Sequence, residues 1–307
     1  MTDKIPVVVI VGPTASGKTA LGVEIAKSLS GEVISADSMQ VYNSMPIASA
    51  APTTEEIDGV EHHLVGFLSP ETKFSVAEFV KLATETAEDI HKRGKIPIIV
   101  GGTGLYIDSL LKGITFNDED SAELRRDLED EADEKGIEVL FKRLKNVDPV
   151  TAERLHQNDR KRIIRALEVF ELHGKTMTEL NEESLLSGSV FKPLYIGITY
   201  RDRDKLYQRI NKRVDTMLEN GLLEEARVAF EANVGATAVQ AIGHKELFPY
   251  FKGEVTLEEA VEALKQATRR YAKRQLTWFR RNEKINWIYA DEVSDAAVAA
   301  KEILEKF

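Results

Sequence analysis

The chain contains no cysteine. That excludes disulfides, thiolate nucleophiles, iron–sulfur clusters and cysteine-ligated zinc together. Long apolar runs are missing as well. None approaches the ~20 residues that span a bilayer, and the apolar stretch at residues 7–11 leads directly into a glycine turn rather than a cleavable leader. Internal repeats and low-complexity linkers are also absent. An excess of positive charge is lacking: Lys and Arg total 41 against 51 Asp and Glu, a balance of −10 over 307 residues. Such a balance argues against indiscriminate polyanion binding but leaves room for a local basic site. What remains is ordinary globular composition, 43% hydrophobic and 30% charged. The length suits about two domains. The expectation is a soluble, cytoplasmic protein with no membrane association.

The first third alternates strand-like and helix-like segments. Ile5–Val11 is a continuous apolar run that suits a buried parallel strand. Residues 19–29 read as a helix and residues 32–36 as a second strand ending at Asp37. Ser75 and Glu78 have capping-box spacing, with apolar residues following at helical intervals up to Ile90, and Gly94 closes the segment. Residues 96–100 form another strand, ending in Gly101-Gly102. This alternation implies a parallel sheet with helices on both faces. Residues 121–189 break the rhythm: helical patterns at 122–135, 137–144 and 158–172 predict an all-helical insertion. Residues 194–200 resume the sheet. A helix with Leu206, Ile210, Val214 and Met217 on one face follows, and a capping box at Thr256 opens a long helix reaching toward Arg281. Residues 285–290 suit a last strand. The expected class is α/β, a P-loop NTPase-like core at 1–120 and 190–307 interrupted by a helical domain at 121–189.

Residues 12–19, Gly12-Pro13-Thr14-Ala15-Ser16-Gly17-Lys18-Thr19, match G-x-x-x-x-G-K-[ST] in full, with a strand before and a helix after. Backbone N–H groups of such a loop wrap phosphate oxygens, and the helix points its positive end at them. Lys18 supplies a fixed charge, and the Thr19 hydroxyl can ligate Mg²⁺. The loop does not name the reaction. The strand at 96–100 ends in glycines, where motor-type NTPases usually have a magnesium-holding aspartate. The available carboxylate is Asp37, at the carboxyl edge beside the loop. It can serve as general base, assist the metal, or simply cap a turn.

Two basic clusters stand out. Residues 160–165 hold four cations in six positions, and residues 268–281 hold six cations and three aromatics with no acid. Interleaved cations and rings suit nucleic acid; the competing reading is a solvated helix face whose aromatics fill the core. The acidic stretch at 119–134 reads as solvated helix surface that repels nucleic acid. Arg125 and Arg126 within it are i,i+4 partners of nearby acids unless they face the active site. His62-His63 lacks a third ligand or thiol and predicts no metal site.

Taken together, residues 12–19, 37–42, 62–64, 101–107, 162–169, 209–217, 240–246 and 269–280 resemble, in order, the motifs of the bacterial-type tRNA dimethylallyltransferases, also called tRNA isopentenyltransferases or IPP transferases. The resemblance implies that Gly12, Thr14, Ala15, Ser16, Gly17, Lys18 and Thr19 hold the diphosphate of dimethylallyl diphosphate with Mg²⁺ at Thr19, and with Asp37 as a further possible ligand. The acceptor would be N6 of the adenosine immediately 3′ of a tRNA anticodon, flipped out of the loop. By the same resemblance Asp37 takes the N6 proton, and Lys18, Thr103 and Arg125 lie at the reacting groups. Contacts with tRNA are implied for Asp37, Ser38, Met39, Gln40, Thr103 and Arg125 near the base, and for Lys161, Arg162 and Arg165. The same holds for Gln240, Gly243, His244 and Lys245, and for Arg274, Gln275, Trp278, Phe279, Arg280 and Arg281. The insertion would close over the anticodon stem-loop, and the family default is a monomer.

The chain departs from the family pattern twice. Ala48-Ser49-Ala50-Ala51-Pro52 stands where many members read Gly-Thr-Ala-Lys-Pro, so a cation is lost, and His244 stands where tyrosine is usual. Neither removes a proposed catalytic group. The rival activity is a P-loop kinase acting on a small molecule or nucleotide, and the rival non-enzyme is a nucleic-acid-binding protein with an idle loop.

Overall fold

The computed structural model describes residues 4–114, 122–232 and 241–305. The chain divides into two units, one made of residues up to Leu111 and from Val190 onward, the other of Lys112–Ser189.

The larger unit is built on six parallel strands: β1 (Ile5–Val11), β2 (Glu32–Ser35), β3 (His62–His63), β4 (Pro97–Gly101), β5 (Phe191–Thr199) and β6 (Asn286–Tyr289). Their order across the sheet is β3-β2-β4-β1-β5-β6. The central β1 pairs Val8 with Ile98 on one side and with Leu194 on the other. Its side chains alternate between two cores, as strand geometry requires. Val7, Val9 and Val11 pack with Phe79, Ala83, Ala87 and Ile90 of α3 (Val76–Lys92) and with Ile107 and Leu110 of α4 (Gly104–Lys112). Val8 and Ile10 pack with Leu21, Val23 and Ile25 of α1 (Lys18–Leu29) and with Ala300 of α14 (Ala296–Leu304). Burial on both faces explains why β1 reads as an unbroken apolar run.

The remaining helices of this unit are α2 (Thr54–Ile57), α10 (Arg203–Glu219), α11 (Leu222–Glu231), α12 (Phe248–Phe251) and α13 (Leu257–Phe279). Capping boxes at Ser75 and Thr256 start α3 and α13, at the positions their sequence spacing indicates. The α10 stripe buries Leu206, Ile210 and Val214.

The smaller unit consists of α5 (Ala122–Lys135), α6 (Ile137–Val147), α7 (Pro149–Arg154), α8 (Arg160–His173) and α9 (Met177–Ser187). Leu128, Leu140, Leu144, Ile163, Ile164 and Leu167 form its core. It starts at Lys112, before the position 121 expected from sequence, and it contains two helices, α7 and α9, that periodicity did not reveal. Both are short or cap-driven: Asp148 caps α7 and also accepts the Thr178 hydroxyl at 2.6 Å. Among the described residues no helix is long and apolar enough to cross a membrane.

Candidate active site

Strand β1 ends at Val11, and the backbone turns through residues 12–17 before α1 begins at Lys18. Gly17 sits at φ 98°, a left-handed conformation that a side chain would strain. Turns of this kind can gather N–H groups around an anion; here the Thr14 N–H is taken by Gln275 Oε1 at 2.8 Å. Lys18 Nζ donates to the Pro13 carbonyl at 2.7 Å, and Arg209 Nε, from α10, donates to the Ala15 carbonyl at 3.1 Å. Burial above all, then the Arg213 charge, pushes the Lys18 ammonium down to about 7, while Asp37 pulls the other way. Burial likewise lowers Arg213, with nearby carboxylates opposing it. A cavity of about 770 Å³ opens here, lined by Thr14, Lys18, Thr19, Asp37, Arg209, Arg213, Tyr271 and Arg274 among others. Its size is that of a small-molecule site. Cations crowded until one of them resists its own charge make a site that favours an anionic ligand.

Asp37 follows β2 and lines the same cavity. Its Oδ1 accepts the Met39 N–H at 2.9 Å, so the turn role and the cavity position coexist. Thr103 supports this turn by accepting the Ser38 N–H at 3.1 Å. Tyr271 of α13 lines the cavity as well, and burial, then the Asp37 charge, pushes its hydroxyl pKa up, so it stays protonated. The glycines after β4 are explained by packing. A Cβ at Gly102 would lie 2.1 Å from Gln275 Nε2, and one at Gly104 would lie 2.3 Å from Trp278. The turn is shaped to receive α13, and no carboxylate stands there.

The other wall is residues 46–51. Gln40, expected to touch a base, spends its amide inside the protein. It accepts the Ser35 hydroxyl at 2.8 Å and donates to the Ala50 carbonyl at 3.0 Å. Glu225 of α11 accepts the Ile47 and Ala48 N–H groups at 2.8 and 2.9 Å. The same carboxylate meets His244 Nε2 at 3.0 Å. The wall without its lysine is therefore fixed through its backbone, and Lys245 lines the cavity beside it.

Several expected tRNA contacts need correction. His244 is buried, 1% exposed, and faces Glu225. Phe279 is 2% exposed and belongs to the core beside α3 and α4. Gln275 is 5% exposed and bonded to the phosphate loop. His244 and Phe279 present no surface to RNA, and Gln275 lines the cavity with both ends of its amide already bonded inside the protein. Phe279 and the half-buried Trp278 thus follow the core reading, Tyr271 lines the cavity, and Arg270, Lys273, Arg274, Arg280 and Arg281 are exposed. Lys161 and Arg162 are exposed on α8. Arg125 lies in the helical unit, where it grips the buried Glu168 carboxylate at 2.8 Å with Arg165 beside it at 2.9 Å. Gln240 lies outside the described residues.

Sequence reasoning missed Arg209, Arg213, Tyr271 and Glu225 as site residues. The usable signal was the i,i+4 arginine pair on α10, next to its buried stripe. Elsewhere, Glu32, Glu61 and His63 bring one ligand atom each within 4.8 Å of one another. Hydrogen bonds from Arg93 above all, with Lys95 and His63, hold the buried Glu32 carboxyl well below the usual range. This knot lies at the opposite end of β2 from Asp37 and serves as an ion-pair cluster.

Residues 40–282 match the family model described as IPP transferase, and residues 5–70 match one described as isopentenyl transferase. The chain is 47% identical to the tRNA dimethylallyltransferase of Thermoanaerobacter sp. (strain X514), over 98% of this chain and 97% of that one. It is 46% identical to that of Bacillus subtilis (strain 168), over 98% and 96% respectively. Its fold is similar to the crystal structure of the tRNA isopentenylpyrophosphate transferase of Bacillus halodurans, with TM-score 0.71 and 44% identity over 99% of this chain and 94% of that one. It is also similar to a eukaryotic dimethylallyltransferase acting on tRNA, with TM-score 0.79 and 30% identity over 97% and 78%.

Proposed function

The chain belongs to the IPP transferase family, and from that membership we infer that it transfers a dimethylallyl group to tRNA. The donor is dimethylallyl diphosphate, and the acceptor is N6 of the adenosine immediately 3′ of the anticodon. The observation that carries the reading is one cavity lined by both the phosphate loop, with Lys18 and two arginines of α10, and the carboxylate of Asp37. Diphosphate needs the first and an amine nucleophile needs the second. As the N6 amine attacks C1 of the donor, the C1–O bond breaks and its electrons leave with diphosphate. Asp37 takes the N6 proton. Lys18, Arg209, Arg213 and the loop N–H groups stabilise the charge that grows on the leaving group. The oxygen donors of Thr19 and Asp37 line the same cavity and fit Mg²⁺, a hard cation that keeps several waters. When bound, the ion would add positive charge at the diphosphate. The buried cations already there supply the rest, so the lysine absent from residues 48–52 is not indispensable.

The test is diphosphate release from dimethylallyl diphosphate with Mg²⁺, with and without unmodified tRNA. Release that requires tRNA and adds one prenyl mass to an anticodon-loop adenosine supports the reading. ATP consumption with a small acceptor, and no tRNA requirement, would replace it with a kinase. A second expectation concerns salt. If about five of the exposed cations meet RNA phosphates, affinity falls roughly a hundredfold between about 50 and 200 mM salt. A flat response would remove the basic residues of α8 and α13 from the interface.

A further inference from the structure

Helix α13 carries Thr268, Tyr271 and Gln275 at spacings of three and four, and all three line the cavity. Gln275 stands apart from its neighbours because both ends of its amide are used inside the protein. Its Oε1 accepts the Thr14 N–H at 2.8 Å, and its Nε2 donates to the Gly102 carbonyl at 3.0 Å. A backbone N–H can only donate and a carbonyl can only accept, so the two partners fix which end of the amide is which. The bonds join segments 261 and 173 residues apart in the chain. Gly102 has no side chain because the Gln275 amide fills that space: a Cβ there would sit 2.1 Å from Nε2. Tyr271, one turn earlier, lines the same cavity.

Gln275 therefore sits on a strongly basic helix without offering that helix's surface anything. Its work is done on the loop. Thr14 is the third residue of the phosphate loop, and holding its peptide plane sets the direction of the N–H groups that follow. We infer that Gln275 is a positioning residue for the diphosphate-binding loop, so that its loss weakens binding of the prenyl diphosphate and not of tRNA. The inference rests on the proposed function in taking diphosphate as the loop's ligand.

The test uses two variants of the full chain. Gln275→Met keeps the length and apolar stem of the side chain but removes donor and acceptor. Gly102→Ala leaves Gln275 in place and pushes its amide off the Gly102 carbonyl, a displacement the flexible end of the side chain can make. The probes are inorganic diphosphate with Mg²⁺, by titration calorimetry, and an unmodified anticodon stem-loop RNA, by fluorescence anisotropy. Thermal melting checks that each variant is folded at the assay temperature. The expected result for both variants is a diphosphate Kd raised about tenfold, the scale of one or two lost hydrogen bonds, with RNA affinity unchanged. Weakened RNA binding with normal diphosphate binding would overturn the inference and make Gln275 an RNA contact. Loss of both affinities in proportion, or of neither, would also overturn it. A wild-type chain that binds no diphosphate would instead overturn the proposed function, which keeps the two failures apart.

Discussion

Asp37→Asn is expected to lower single-turnover prenyl transfer by about 10²- to 10⁴-fold, the usual contribution of a positioned general base. The substitution separates two roles that the structure combines. Asparagine keeps a carbonyl oxygen at Oδ1, so the Met39 N–H retains its acceptor and the turn after β2 survives. It loses the basicity that would take a proton from N6. Binding of tRNA should change little, because the neighbouring Ser38 N–H is held by Thr103 and not by Asp37. Single-turnover rates measured with pre-bound tRNA report the chemical step directly. A near-normal rate in Asp37→Asn would mean that the aspartate only caps the turn, and the proton acceptor would have to be sought elsewhere.

What the sequence revealed was local. The phosphate loop was legible because its requirement, a left-handed glycine ahead of a lysine at a helix start, is met within eight consecutive residues. Strand β1 was legible because burial on both faces leaves an uninterrupted apolar run. The capping boxes of α3 and α13 were legible because the bonded pair lies three residues apart. What escaped was set by distance along the chain. The Glu225 carboxylate meets the Ile47 N–H across 178 residues, and no periodicity on α11 announces that. Arg209 and Arg213 read as solvated charges of an amphipathic helix until the sheet edge brings the phosphate loop beneath them. Motif resemblance carried a different error. It marked His244, Gln275 and Phe279 by position, but position in a motif does not say which face of an element is buried, and all three turn inward. Strand β3, two residues long, is too short for any period to show.

Lys18→Met should abolish most catalysis while making the ligand-free protein more stable near neutral pH. The first effect follows, under the proposed function, from removing a cation of the phosphate loop, a loss of about 10²- to 10³-fold by analogy with deletion of one preorganised stabilising group. The second follows from the direction of the Lys18 shift. Its pKa falls from 10.5 to about 7 on folding, so between those values the unfolded chain binds more protons than the folded one. Ligand-free stability then rises with pH across that window, and the cost of a charged Lys18 is present in full below it. Methionine has a similar length and no charge to desolvate. Its advantage in melting temperature should accordingly be largest near pH 6 and shrink toward pH 10, offset throughout by loss of the bond to the Pro13 carbonyl. Diphosphate reverses the wild-type balance, because an anion at the loop restores the lysine's preference for its proton. At pH 8 the wild-type chain should therefore take up as much as about one proton per diphosphate bound, visible as a dependence of the binding enthalpy on buffer ionisation enthalpy. Lys18→Met should bind weakly and without that dependence. Binding enthalpies independent of buffer in the wild type would show that Lys18 is already fully charged before the ligand arrives, and the account of Lys18 as a lysine that burial discharges would fail with it.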